Sequence, residues 1–161
     1  MRIIVIILCI YLGAMPVFSQ EKAASQDFWL SPSAETAFFS LSANAYGGGL
    51  AFAYGTGASI GFKAVFFQNT EDHFSTLELC FLLRYNVMGG VSGFFFQLMS
   101  GPVLFFTDRA EFAIPSEWGT VSIGISAGWR FLLGRTLFVE PSVRGGYPYI
   151  FGAGLSAGFH F

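Results

Sequence analysis

The residues best able to do chemistry lie in the run Glu71-Asp72-His73-Phe74-Ser75, which holds a hydroxyl, an imidazole to take its proton and carboxylates to orient the ring. Such a cluster is commonplace in a solvated polar loop, and a mobile loop holds a catalytic constellation poorly. The only other histidine, His160, is one residue from the carboxyl end and reads as a cap on an interior rather than a catalyst. Two histidines without ligand spacing make no metal site. No phosphate-cradling glycine loop precedes a helix, so nucleotide binding is not indicated. Beyond Cys9, which falls in an apolar leader, Cys80 is the one remaining cysteine and reads as small apolar filler. No catalytic residue, cofactor or metal is expected.

Eight basic and ten acidic residues give a net charge of −2, with no basic run, so a nucleic-acid partner is excluded. Six of these charges fall inside segments of alternating polarity: Lys63, Glu78, Arg84, Arg130, Glu140 and Arg144. What those six do depends on the elements that hold them. Composition frames the answer, since 53% hydrophobic and 19% aromatic residues with 11% charged is too apolar for an ordinary soluble domain. After the leader, only Tyr85 to Thr107 runs long enough without charge to be a membrane helix of about 20 residues. Its glycines, Asn86, Gln97 and Pro102 make it a poor one.

Residues 1–19 read as a signal peptide, with Arg2 as the positive end, Ile3 to Val17 apolar, and cleavage after Ser19. Residues 20–34 read as a polar periplasmic tail whose Phe28-Trp29 touches the membrane interface. From Glu35 a period-two alternation runs to the end, broken by turn signals into eight strands. Strand one, Glu35 to Tyr46, sends Ala37, Phe39, Leu41, Ala43 and Ala45 outward, and Gly47 to Gly49 turns it. Strand two carries Leu50, Phe52 and Tyr54 outward, and strand three Ile60, Phe62, Ala64 and Phe66. Strand four presents Leu77, Leu79, Phe81, Leu83 and Tyr85. Strand five presents Phe94, Phe96, Leu98, Pro102 and Leu104, with a bulge or kink at Pro102. Strand six presents Val121, Ile123, Ile125, Ala127, Trp129 and Phe131, and strand seven Leu137, Val139, Pro141 and Val143. The last strand, Phe151 to Phe161, alternates apolar residues with small or polar ones. Short turns fall near 55–58, 86–90 and 134–135, and the other connections near 45–49, 68–74, 107–117 and 145–149.

All six strand charges share the parity of the small polar face, and the outward face carries none. A soluble barrel shows the reverse, an apolar interior and a charged exterior. The expected fold is therefore all-β, an eight-stranded antiparallel up-and-down transmembrane barrel over residues 35–161. Tyr54, Tyr85, Trp129 and Phe159 would ring one rim, and Tyr46, Trp118, Tyr147 and Tyr149 the other, at the depth amphipathic rings prefer.

Residues 35–161 resemble the small outer-membrane barrels of the OmpA, OmpX and OmpW type, most specifically in the hairpin from Val139-Glu-Pro-Ser-Val-Arg-Gly-Gly-Tyr147 to the terminal aromatic Phe161. The resemblance implies residence in the bacterial outer membrane, contact with its lipids, and the closing strand with Phe159 and Phe161 as a signal to the β-barrel assembly machinery. Short loops and the lack of a following periplasmic domain depart from the longer family members, which puts adhesin and peptidoglycan-anchor roles in doubt.

An eight-stranded barrel has an interior about filled by side chains, so a diffusive channel is not expected. The hairpins can bring Lys63 opposite Glu78 and Arg130 beside Glu140, with four interior cations over two carboxylates, although a register slip of two moves each partner without changing its face. Buried charges need partners, so these read as a salt-bridged core. The alternative is a gated polar path or ligand site. At the level of function, the reading is a structural or surface-interaction barrel, with Asp108, Arg109 and Glu111 of the 107–117 loop facing an extracellular ligand or host partner. The alternatives are passage of a small apolar molecule, with a lateral exit at Pro102, and a lipid A-modifying enzyme.

Overall fold

The computed structural model describes residues 28–38, 44–69, 74–107 and 119–161. Its elements are β1 (Phe28–Phe38), β2 (Asn44–Tyr54), β3 (Ala58–Asn69), β4 (Phe74–Asn86), β5 (Gly93–Thr107), β6 (Gly119–Leu133), β7 (Leu137–Tyr147) and β8 (Phe151–His160). Each strand pairs antiparallel with the next, and β1 pairs with β8, so the sheet closes into a barrel without an edge. Closure extends to the start of β1 and the end of β8, where Phe28 N donates to Phe161 O at 3.2 Å and Phe161 N donates to Phe28 O at 2.8 Å. The connections at 55–57, 87–92 and 134–136 lie at this terminal rim, and Gly55, Gly89 and Gly134 turn the chain there with positive φ.

Several sequence expectations change. The barrel begins at Phe28, not Glu35, so 28–34 is wall rather than tail; residues 1–27, with the expected leader, lie outside the described residues. With β1 displaced, its parity reverses. Trp29, Ser31, Glu35 and Ala37 are buried, and Phe28, Leu30 and Phe38 are exposed. Ala45, expected outside, is also buried.

The glycines 47–49 are no turn but part of β2, with Gly47 opposite both Glu35 and Phe67. A Cβ at Gly47 would stand 2.8 Å from Phe67 Cδ1, and one at Gly49 2.8 Å from Ser33 Oγ. These glycines make room for larger interior neighbours, a second use of glycine in strands.

Pro102 causes no bulge. Glu78 pairs with Val103 and Phe81 with Ser100, so both strands skip two residues and nothing is inserted. Pro32 and Pro141 produce the same two-residue gap, in the ladders toward β8 and β6. Each proline keeps its pairing on the other side, Pro32 with Leu50, Pro102 with Val121 and Pro141 with Leu155. A residue without an N–H leaves the ladder open on one seam only, and the wall stays continuous.

Apart from Ala45, the apolar residues of β2–β8 expected on the outer face lie there, while Phe67, Leu82, Phe95, Met99, Val103 and Phe138 are buried within. Leu50, Phe52, Phe62, Leu79, Phe96, Leu98, Ile125, Phe131 and Leu155 are all exposed. Phe52, Phe62 and Phe81 pack side by side on this surface, with ring centroids 5.5 and 5.3 Å apart. Tyr54, Tyr85, Trp129 and Phe159 are exposed near the terminal rim, and Tyr46 and Tyr147 at the opposite one. Tyr149 departs from the expected belt, being 1% exposed and turned into the barrel. Trp118 lies outside the described residues.

Candidate functional site

The inner wall gathers its ionised groups into two networks. The one nearer the terminal rim is centred on Glu140 of β7. Arg84 of β4 donates to it twice, Nη1 to Oε1 at 2.7 Å and Nη2 to Oε2 at 3.0 Å, while Arg130 of β6 donates Nε to Oε1. Arg84 Nε donates to Gln97 Oε1 at 3.2 Å, and Ser156 Oγ lies 3.4 Å from Glu140 Oε2. The guanidinium of Arg84 stacks 3.9 Å from the Phe95 centroid and that of Arg130 3.9 Å from Phe138, with Trp29 within 5 Å of both. A planar cation both hydrogen-bonds in its plane and stacks on its faces, which lysine would not do.

The second network lies toward the other rim. Arg144 of β7 donates Nη2 to Glu78 Oε1 at 2.7 Å and Nη1 to Glu35 Oε2 at 3.3 Å. Lys63 of β3 is paired with Glu35, whose Oε1 also accepts from Ser33 Oγ at 2.8 Å. Tyr149, reaching in from the β7–β8 connection, shares a 3.2 Å hydrogen bond with Thr76 and packs on Phe67 with centroids 5.0 Å apart. Arg144 sits 4.8 Å from the Tyr149 ring. Burial pushes the Tyr149 phenol above its ordinary range, so it stays a neutral lid over the ions.

Between the networks lies a cavity of about 20 Å³, bordered by Lys63, Arg84, Gln97, Glu140 and the hydroxyls of Ser31, Ser33, Ser126, Ser142 and Ser156.

The six charges singled out from sequence thus all face inward. Lys63 keeps 14% side-chain exposure and the other five are buried. Arg130 and Glu140 meet as the hairpin geometry suggested. Lys63 does not meet Glu78: its neighbour across β4 is Cys80, and its ionic partner is Glu35. Glu35 is the functional residue that sequence reading missed, and it makes the interior balance four cations to three carboxylates rather than four to two. A parity count started at Trp29, through Ser31 and Ser33, would have placed it inside. Cys80 is buried with its Sγ 3.2 Å from Ser122 Oγ, the packing role expected of it.

His160 stands at the terminal rim opposite Trp29, its backbone N donating to Thr136 O at 2.8 Å. Phe159 and Phe161 are exposed at the same rim. Glu71, Asp72, His73 and the loop residues Asp108, Arg109 and Glu111 lie outside the described residues. Among the described residues no group of three His, Cys, Asp or Glu side chains converges as metal ligands would. Chemically, the interior neutralises charge against charge and crosses the lumen at two levels.

No family model and no curated protein matches the chain. Solved structures do match it in fold. The N-terminal β-barrel domain of Pseudomonas aeruginosa OprF is 16% identical, with 84% of this chain and 97% of that one covered, at a TM-score of 0.56. The Yersinia pestis outer membrane protein Ail, determined in a phospholipid bilayer nanodisc, is 11% identical over 85% of this chain and 100% of that one, at a TM-score of 0.58. With eight antiparallel strands in sequential order, apolar outside and ionic within, the chain has the fold of the small outer-membrane β-barrels.

Proposed function

We propose that the chain is an integral protein of the bacterial outer membrane with a structural or surface-interaction role and no reaction of its own. The observation that carries this reading is the polarity of the wall: every charge on the described strands faces inward in one of two networks, and the outward face has none. An exterior of this kind is stable where acyl chains are the solvent. Bilayer lipids are then its standing partners. The terminal strand, ending on Phe159 and Phe161, serves as the signal for the assembly machinery, and Asp108, Arg109 and Glu111 of the 107–117 loop form the recognition surface.

The interior supports a plug rather than a pore. Arg84 and Glu140, and Arg144 with Glu78 and Glu35, tie different parts of the wall together across the lumen. The test is fractionation followed by reconstitution. The protein is expected in the outer-membrane fraction, with heat-modifiable migration on gels and no steady single-channel conductance in planar bilayers. Recovery from the soluble fraction would reject the membrane reading, and a steady open-channel current would reject the plug. Lipid A mass profiles unchanged by His73→Ala would agree with the absence of enzymatic activity; a changed profile would refute it.

A further inference from the structure

We propose that the outer wall carries a binding site for one acyl chain of a phospholipid, in a groove that crosses β4 to β8 obliquely. The inference rests on the membrane reading above and names one lipid site within it. The groove measures about 620 Å³, within the roughly 300–1,000 Å³ of ordinary ligand sites. Two rows of outward residues flank it. One row is Tyr85, Phe96, Ala127 and Val143, each paired with the next across neighbouring strands. The other is Leu83, Leu98, Ile125, Gly145 and Phe151, paired in the same way. Ala127 stands between Phe96 and Val143, and Gly145 between Ile125 and Phe151, so the wall sinks where the larger side chains stop.

Chemistry and width select the occupant. The floor is main chain at Arg84, Gln97, Ser126 and Arg144, whose side chains are buried on the inner side. These four pair from β4 to β7 without a gap, so their main-chain polar groups are satisfied within the sheet. Both arginines hold their charge inside, on Glu140 and on Glu78 with Glu35. The groove therefore offers hydrocarbon contact and no ion. Residues two apart in a strand stand about 7 Å apart on one face. Carbon atoms in van der Waals contact sit about 3.5–4.0 Å apart, so a single file of methylenes fills the space between the rows. A helix, about 10–12 Å across, does not enter.

Length and direction agree. From β4 to β8 the strand spacings of about 4.8 Å give a groove about 19 Å long. With strands tilted by about 35–45°, it covers about 11–13 Å of membrane depth, against about 15 Å for half of the hydrocarbon core. One chain of one leaflet matches that depth. Tyr85 marks the end beside the β4–β5 turn at the terminal rim, where an amphipathic ring sits at headgroup level. Phe151, packed on Phe38 with ring centroids 6.4 Å apart, bounds the far end. The headgroup lies by Tyr85, and the chain runs toward Phe151.

The test is native mass spectrometry of the folded barrel released from detergent micelles that hold palmitoyl-oleoyl phosphatidylethanolamine. One phospholipid is expected to stay on the wild-type barrel under conditions that strip the rest. Ala127→Leu and Gly145→Leu fill the groove and should each lose that lipid with heat-modifiable migration retained; within 4 Å, a Cβ at Gly145 meets only Ile150 O, at 3.4 Å. Ala157→Leu, on the exposed face of β8 outside the groove, should keep the lipid. A wild-type barrel without a retained lipid, retention that survives both groove substitutions, or retention lost to Ala157→Leu as well would each overturn the proposal. So would lipid A held in preference to phosphatidylethanolamine when both are supplied, or a second copy of the barrel held in place of the lipid. The membrane reading survives every one of these results if the protein still fractionates with the outer membrane, whereas recovery from the soluble fraction would overturn both.

Discussion

Arg84 and Glu140 stand 56 positions apart in the chain and meet through two parallel hydrogen bonds of 2.7 and 3.0 Å, with Arg130 on the same carboxylate. Each side chain is nearly fully buried. Glu140→Ala should therefore strand two cations and destabilise the barrel by about 3–5 kcal/mol. Replacing Arg84, Glu140 and Arg130 together by methionine should restore most of that loss, as judged by urea unfolding in micelles. A Glu140→Ala variant as stable as the wild type would show that the carboxylate is not the centre of the network.

Glu35 and Glu78 should not be equivalent. Removing Glu78 leaves Arg144 with Glu35, whereas removing Glu35 leaves Lys63 without its carboxylate. Glu35→Ala is expected to cost more than Glu78→Ala. A double-mutant cycle on Lys63 and Glu35 should give a coupling of about 0.5–3 kcal/mol. The reverse order of stabilities would place Lys63 elsewhere.

On the outer wall, Leu79 is exposed between strands that carry no charge on that face. Leu79→Arg should cost roughly 2–4 kcal/mol in a bilayer, as a cation near the midplane of a transmembrane barrel does. Little or no loss would mean that the residue is not in contact with hydrocarbon.

Inside, Gly49 has no space for a larger side chain, since an added Cβ would stand 2.8 Å from Ser33 Oγ and 2.9 Å from Ala64 O. Gly49→Val should cost about 1–3 kcal/mol by overpacking. Were 47–49 a solvent-exposed turn, the same substitution would be nearly silent in the unfolding curve.

Much of the wall was legible in the sequence because period-two alternation and turn chemistry agree over β3 to β8. Lys63, Glu78, Arg84, Arg130, Glu140 and Arg144 all read as inward from parity alone. The first strand was not legible, since Ser31-Pro32 and Gly47-Gly-Gly49 carry the signature of breaks. Both are held in strands by neighbours distant in sequence: Pro32 by Leu50, and Gly47 by Glu35 and Phe67. That displacement reversed the parity of β1 and hid Glu35. Ion pairing is harder still, because parity fixes the face on which a side chain stands but not what it reaches across the lumen. Arg130 and Glu140 share a hairpin and were readable; Lys63 and Glu35, from strands that are not sequence neighbours, were not.

Loss of Phe161 removes the exposed terminal ring and the backbone bonds that join the chain end to Phe28. Insertion should slow while the folded barrel, once formed, keeps its heat-modifiable migration. Normal insertion kinetics would remove the assembly role from this residue.

Two tryptophans report the two sides of the wall, Trp129 at 41% exposure and Trp29 at 2%. Single-tryptophan variants reconstituted in phospholipid vesicles with brominated acyl chains would read which side meets lipid. Strong quenching of Trp129 with Trp29 unaffected is the expected result; quenching of Trp29 with Trp129 untouched would mean that the apolar wall does not face the membrane.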